Sequence, residues 1–133
     1  MKTRKSLELS DVQKIIEAAS AHARAKGWPV TICVTDDGGH LLGLARLDGA
    51  APFTASMAVS KANTAALGRR ESGIFEDAIN KGRTALATAP FPGLLEGGVP
   101  ILADGQCIGA VGVSGVKSAE DAETAKAGIA ALS

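Results

Sequence analysis

Aromatic side chains are almost missing from this sequence, which has no tyrosine, one tryptophan and three phenylalanines in 133 residues. With 46% of residues apolar, the core has to be built from Ala, Val, Ile and Leu. Sixteen glycines then make close backbone packing the alternative to large rings. Histidine and cysteine are equally scarce, with two of each. No C-x-x-C or Cys/His cluster occurs, which excludes a cysteine-built metal centre. Cys33 and Cys107 lie inside strand-like runs and read as reduced, buried, small apolar residues. There is no excess of either charge, with 14 basic against 14 acidic residues, so a general attraction to nucleic acid is excluded. No apolar run reaches about 18 residues, and a membrane span is not expected. The polar opening residues lack the apolar segment of a signal peptide, so a cytoplasmic protein is expected. The length suits one domain over residues 1–133.

What is present is strongly patterned. Ser10-Asp-Val-Gln13 has the form of a capping box. Val12, Ile15, Ile16, Ala19 and Ala23 follow it as one stripe of an amphipathic helix that Gly27 and Pro29 stop. Val30 to Thr35 alternates as a strand with one more polar face. Asp36-Asp-Gly-Gly39 turns the chain, and His40 to Leu47 returns as the partner strand. From Pro52 to Gly68 the period becomes helical, with a small-residue stripe of Ala55, Ala58, Val59, Ala62, Ala65 and Ala66. A further helix is expected from Ile74 to Lys81, continuing towards Ala87, before Pro90, Pro92 and Gly93 force an irregular stretch. Gly97 to Ile101 leads into a third strand, Asp104-Gly105 turns, and Cys107 to Ser114 runs back as a fourth. Ser118-Ala-Glu-Asp121 caps a last helix that buries Ala122, Ala125, Ile129 and Leu132. This order predicts an α+β domain, an antiparallel sheet from two hairpins with helices on its faces.

The unusual polar chemistry is concentrated between Val34 and Arg69. His40 can hold its turn, or it can act as a ligand or acid/base group, since histidine titrates and coordinates near neutral pH. Arg46, Lys61 and Arg69 can form a positive wall for a carboxylate, with Lys61 and Thr64 on one helical face. The competing reading pairs Arg46 or Lys61 with Asp48 or Asp36 inside the protein. Gly97-Gly98 can present backbone N–H groups to an anion or can simply open a strand. Phe91, between two prolines, is a lid or a loop anchor. The candidate ligand-binding set is therefore His40, Arg46, Asp48, Lys61, Thr64, Arg69, Gly97 and Gly98, with His40 the candidate metal ligand.

Five segments in order carry a resemblance. They are Asp36 or Asp37 with Gly38-Gly-His-Leu41, Arg46 with Asp48-Gly-Ala50, Lys61-Ala62 with Thr64-Ala65, Gly97 to Ile101, and Ile108 to Gly115. Together with the acidic last helix (Glu120, Asp121, Ala127-Gly128), they resemble the GlcG/HbpS-like, or haem-degrading-domain, family over most of the chain. The resemblance implies a profilin-like three-layer α/β/α fold with a central antiparallel sheet and assembly into dimers or larger rings. Members include extracellular haem-binding sensors, a corrinoid-pathway domain that binds haem and a protein encoded beside glycolate oxidase. Haem is thus the implied cofactor, and with no tyrosine present His40 is the expected axial ligand. Two functions remain open from the residues. One is a binding protein for haem or another carboxylate-bearing small molecule. The other is a small enzyme acting on an organic acid, with His40 or Lys61 as general acid/base. A homo-oligomer is expected, with neither nucleic acid nor membrane as partner.

Overall fold

The structure, a computed structural model, describes all residues from 1 to 133. Helix α1 (Leu9–Lys26) leads into strands β1 (Thr31–Asp36) and β2 (Leu41–Arg46), then helices α2 (Phe53–Gly68) and α3 (Ser72–Asn80). A short 3-10 turn at Thr84–Thr88 precedes β3 (Gly98–Ala103), β4 (Gln106–Ser114) and α4 (Ser118–Ala130). The strands form one sheet in the order β2-β1-β4-β3, with every neighbouring pair antiparallel. The α+β expectation holds: both hairpins join one sheet, and helices pack on each face. No helix is long and apolar enough to cross a membrane.

The two faces are built differently. On one, Ile32, Val34, Val111 and Val113 meet Val12, Ile15 and Ala19 of α1 and Ala125 of α4 in the main core. Burying each Val or Ile side chain there stabilises by about 1.5–3 kcal/mol. On the other face α2 lays its alanines directly on the strands: Ala58 and Ala62 against Cys33, Ala65 and Ala66 against Ala110. Small residues alone do not explain the approach. A Cβ on Gly112 of β4 would fall 2.0 Å from the Ala58 carbonyl oxygen, so α2 can reach this strand only where a side chain is absent. The Thr31-Cys33-Thr35 face of β1, expected to be the more polar one, is fully buried under α2. Its hydroxyls are satisfied locally, as in the 2.8 Å bond between Thr31 Oγ1 and Thr54 Oγ1.

Boundaries differ from expectation in three places. Helix α1 starts at Leu9, and the Glu8 N–H donates to the Asp11 carboxylate at 2.8 Å. Ser10 therefore lies in the first turn instead of capping it. Helix α3 begins at Ser72 and ends at Asn80, with the 3-10 turn as a separate piece. Ser118 opens α4, and the Lys117 N–H before it donates to Glu120 at 3.3 Å. In α1 and α4 an acid in the first turn takes a free N–H group at the helix start, and its charge is favoured there.

Candidate functional site

The expected single cationic wall is not formed. Its members fall into three groups, because the hairpin and the helix that carry them present them in different directions. Strand β2 spans six residues, about 20 Å at the usual rise per residue. Its two ends therefore cannot serve one small ligand.

The first group is internal. Lys61 of α2 is 3% exposed. Its Nζ donates to the Val113 carbonyl and to Asp121 Oδ2 of α4, both at 3.0 Å. The Val116 N–H donates to the other Asp121 oxygen at 3.1 Å. Burial pushes the Asp121 carboxyl above its ordinary value, against the pull of the Lys61 charge and the backbone donors. Gly97 and Gly98 make room for this lysine. A Cβ on Gly97 would sit 2.9 Å from Lys61 Nζ, and one on Gly98 would sit 2.1 Å from the Lys61 carbonyl oxygen. Thr64 Oγ1 donates to the Ser60 carbonyl at 3.1 Å and accepts the Gly93 N–H at 3.0 Å. Ser72 Oγ likewise accepts the Gly98 N–H at 2.8 Å. Lys61, Thr64, Gly97 and Gly98 thus dock the segment before β3 onto α2, and a general acid/base role for Lys61 is closed off by burial. Phe91 stacks on Phe75 with ring centroids 4.7 Å apart, anchoring the same loop.

The second group lies at the tip of the β1–β2 hairpin. The side chain of His40 is 82% exposed, and its Nδ1 stands 3.2 Å from both oxygens of Asp36. Asp36 Oδ1 also accepts the Gly38 and His40 N–H groups, each at 2.9 Å. Slight burial pushes the Asp36 carboxyl up, but these backbone bonds and the His40 ring outweigh it and hold it below its ordinary value. An acceptor-only carboxylate facing Nδ1 selects the Nδ1–H tautomer and leaves the Nε2 lone pair outward. Arg69, in the left-handed region at φ 55°, ends α2 and reaches this tip. Its Nη1 donates to the carbonyls of Asp37 and Ala66. The Arg4 guanidinium meets the Asp37 carboxylate at 2.6 Å. Lys2, Arg4 and Arg69 line one cleft of about 360 Å³ with Leu102, Gln106 and Cys107. Arg4 and Lys2 are not among the residues that the sequence singles out.

The third group is at the base of the hairpin. Arg46 Nε and Nη2 both donate to the Ala50 carbonyl, at 3.1 and 2.9 Å. Asp48 is exposed beside it.

The cysteines match their expectation as free and buried thiols. Burial pushes the Cys33 thiol up to about 12, so it remains protonated and is a poor metal ligand. No group of three or more His, Cys, Asp and Glu side chains is placed to hold a metal ion.

Known proteins align with this chain along nearly its whole length. The sequence model of a family described as "Haem degrading protein HbpS-like" matches residues 7–130. Protein GlcG of Escherichia coli K12 is 53% identical over 114 residues, covering 86% of this chain and 85% of GlcG. A crystal structure of a double mutant of Streptomyces reticuli HbpS superposes with a TM-score of 0.89 at 30% identity, covering 100% of this chain and 91% of the other. The PduOC–heme complex has the same fold, with a TM-score of 0.85 at 24% identity over 96% of this chain and 95% of the other.

Proposed function

The chain belongs to the HbpS-like family of haem degrading proteins, and on that premise we propose that it binds haem, or a closely similar planar carboxylate, at the tip of the β1–β2 hairpin. The observation that carries this reading is the Asp36–His40 pair. A carboxylate on Nδ1 fixes the tautomer and orients the ring, which is how metal-binding histidines are usually supported. The other residues there suit the same ligand. Leu41 and Leu42 are 57% and 38% exposed and follow His40 directly, offering apolar contact to a flat ring. Arg69, Arg4 and Lys2 on the neighbouring cleft can take carboxylates by charge-assisted hydrogen bonds. Haem, if bound, would supply an iron centre for which a histidine nitrogen is a suitable donor. His40 would provide the donor atom, and Asp36 holds its ring in place.

The same hairpin favours self-association. Strand β2 is an edge strand, and Leu41, Leu42 and Leu44 on it are exposed. An unpaired apolar edge of this kind is covered in most stable proteins. We take the covering partner to be a second copy, giving a homo-oligomer in which a ligand at the tip is shielded from one side. Two free cysteines fit a reducing, cytoplasmic compartment.

Titration with hemin, followed by its Soret band, tests the ligand. Saturable binding is expected, with loss of the shifted band in His40→Ala and roughly 10–100-fold weaker binding in Asp36→Asn. A Soret band that is the same in wild type and His40→Ala would remove His40 from the iron. Light scattering tests assembly, and a 13.4 kDa particle at micromolar concentration would rule out the oligomer.

A further inference from the structure

The largest concavity of the molecule, about 560 Å³, lies at the base of the hairpin, away from the tip that carries His40. The end of α1, the Gly27-Trp28-Pro29 connection and the end of β2 enclose it, with Arg24, Trp28, Pro29, Arg46, Leu47 and Asp48 among its walls. Its charges are unspent. Neither Arg24 nor Arg46 has an acidic side chain within 4.0 Å, and Asp48 has no basic one. Arg46 uses Nε and Nη2 on the Ala50 carbonyl, which fixes the guanidinium plane and leaves Nη1 with no bond inside the chain. Arg24 stands in the last turn of α1, where part of its charge answers the helix carbonyls. Arg46 is therefore the stronger anion donor. Trp28 meets His22 edge to face, with ring centroids 5.9 Å apart, and Lys26 Nζ stands over the indole at 5.7 Å from its centroid, so the ring is held in place. His22 is in turn held by Glu123 at 2.7 Å.

We propose that this cleft is a second binding site, for a planar organic acid with one carboxylate. The carboxylate meets the Arg46 and Arg24 guanidiniums, the ring lies along Trp28 and Leu47, and a hydroxyl or amino group on the ring donates to Asp48. The lining residues Arg24, Arg46 and Asp48 leave a net charge of +1, with the Lys26 ammonium close by over Trp28. That balance favours a monoanion, because a second carboxylate would meet Asp48. A lone inorganic anion would leave the apolar walls wet, and a neutral ring would leave two guanidiniums unanswered, so both parts are needed for affinity.

Trp28 is the only tryptophan, so its emission reports this cleft alone. The experiment titrates the full chain with benzoate and with 4-hydroxybenzoate, using benzyl alcohol and sodium chloride as controls at matched concentration. Saturable change with benzoate is expected, tighter with the 4-hydroxy compound, and none with the controls. Arg46→Lys and Arg24→Gln should each weaken benzoate by about tenfold, as loss of a charge-assisted bond does. Asp48→Asn should abolish the preference for the hydroxy compound. His40→Ala should change none of this, which separates the cleft from the hairpin tip. A linear response matched by benzyl alcohol, or benzoate binding unmoved by both arginine substitutions, overturns the proposal. Thermal melts check that the variants fold, and should Arg46→Lys fail, Arg24→Gln on an exposed residue decides alone.

Discussion

Lys61–Asp121 and His40–Asp36 are both acid–base pairs with heavy-atom separations near 3 Å, at 3.0 and 3.2 Å respectively. Their surroundings are opposite. The side chains of the first pair are 4% and 3% exposed, those of the second 82% and 37%. Burial decides what each pair does. In the first, water has been replaced by Val113, Val116 and the glycines of the β3 entry, so either partner alone would be a stranded charge. The pair ties α2, β4 and α4 together and has no face left for a ligand. In the second, water still competes for both groups, and the pair adds little to folding. It keeps a nitrogen pointing outward for other use. The chemistry of the side chains is similar, and function follows from which pair the solvent can reach.

The largest effect is therefore expected where the notional ligand lysine is removed. Lys61→Ala should cost about 3–5 kcal/mol in denaturant titration, since it leaves the Asp121 charge buried without a partner. Hemin affinity per folded molecule should stay unchanged. Replacing both partners, as in Lys61→Met with Asp121→Asn, should recover much of the loss. A single-variant loss below about 1 kcal/mol would erase the contrast between the two pairs. A smaller loss, about 1–3 kcal/mol, is expected for Gly98→Ala, whose added Cβ meets the Lys61 carbonyl oxygen at 2.1 Å and forces α2 away from β3. His40→Ala should move stability by no more than about 0.5 kcal/mol, as for other exposed side chains. A hemin complex indistinguishable from wild type, combined with a clear stability loss, would reverse the roles assigned to the two pairs.

Local pairings were legible in the sequence and distant ones were not. The stripe of α1, both Asp-Gly hairpins and the alanine stripe of α2 follow from periodicity and turn chemistry, which act within a few residues. His40 holding its own turn is of the same kind, because Asp36 is four residues away. Lys61 and Asp121 are 60 residues apart, on different faces of the sheet. Nothing local marks them as partners, although a lysine within an alanine stripe signals that it needs one. The Gly97-Gly98 step reads equally as an anion nest or a passage, and only the position of Lys61 decides. Arg24 and Trp28 join Arg46 through the packing of α1 on the sheet, which composition and spacing do not encode. The helix starts were misread for a simpler reason. Ser10 and Ser118 lie inside their helices, and the N–H groups of the capping residues Glu8 and Lys117 go to Asp11 and Glu120.

The smallest effect belongs to the exposed pair itself and is seen only as a pH dependence. The Asp36 carboxyl lies below its ordinary value of 3.8 in the folded protein. Although slight burial pushes it upward, the backbone N–H groups of His40 and Gly38 and the His40 ring pull it further down. A depressed acid stabilises the fold fully at pH values above its unfolded pKa, where both states are ionised. As pH falls below 3.8 the unfolded chain takes up the proton first. The contribution then shrinks and is gone once the folded carboxyl is protonated as well. Asn at position 36 keeps an acceptor for the two N–H groups but has no charge to titrate. The difference in urea midpoint between wild type and Asp36→Asn should be small at pH values just above the ordinary carboxylate value. It should diminish on further acidification, and the other carboxylates cancel because both chains share them. A difference that stays constant to about pH 2.5, or grows as the pH drops, would mean that the tip carboxylate is not held by its turn. His40 would then lose the fixed partner on which its outward-facing nitrogen depends.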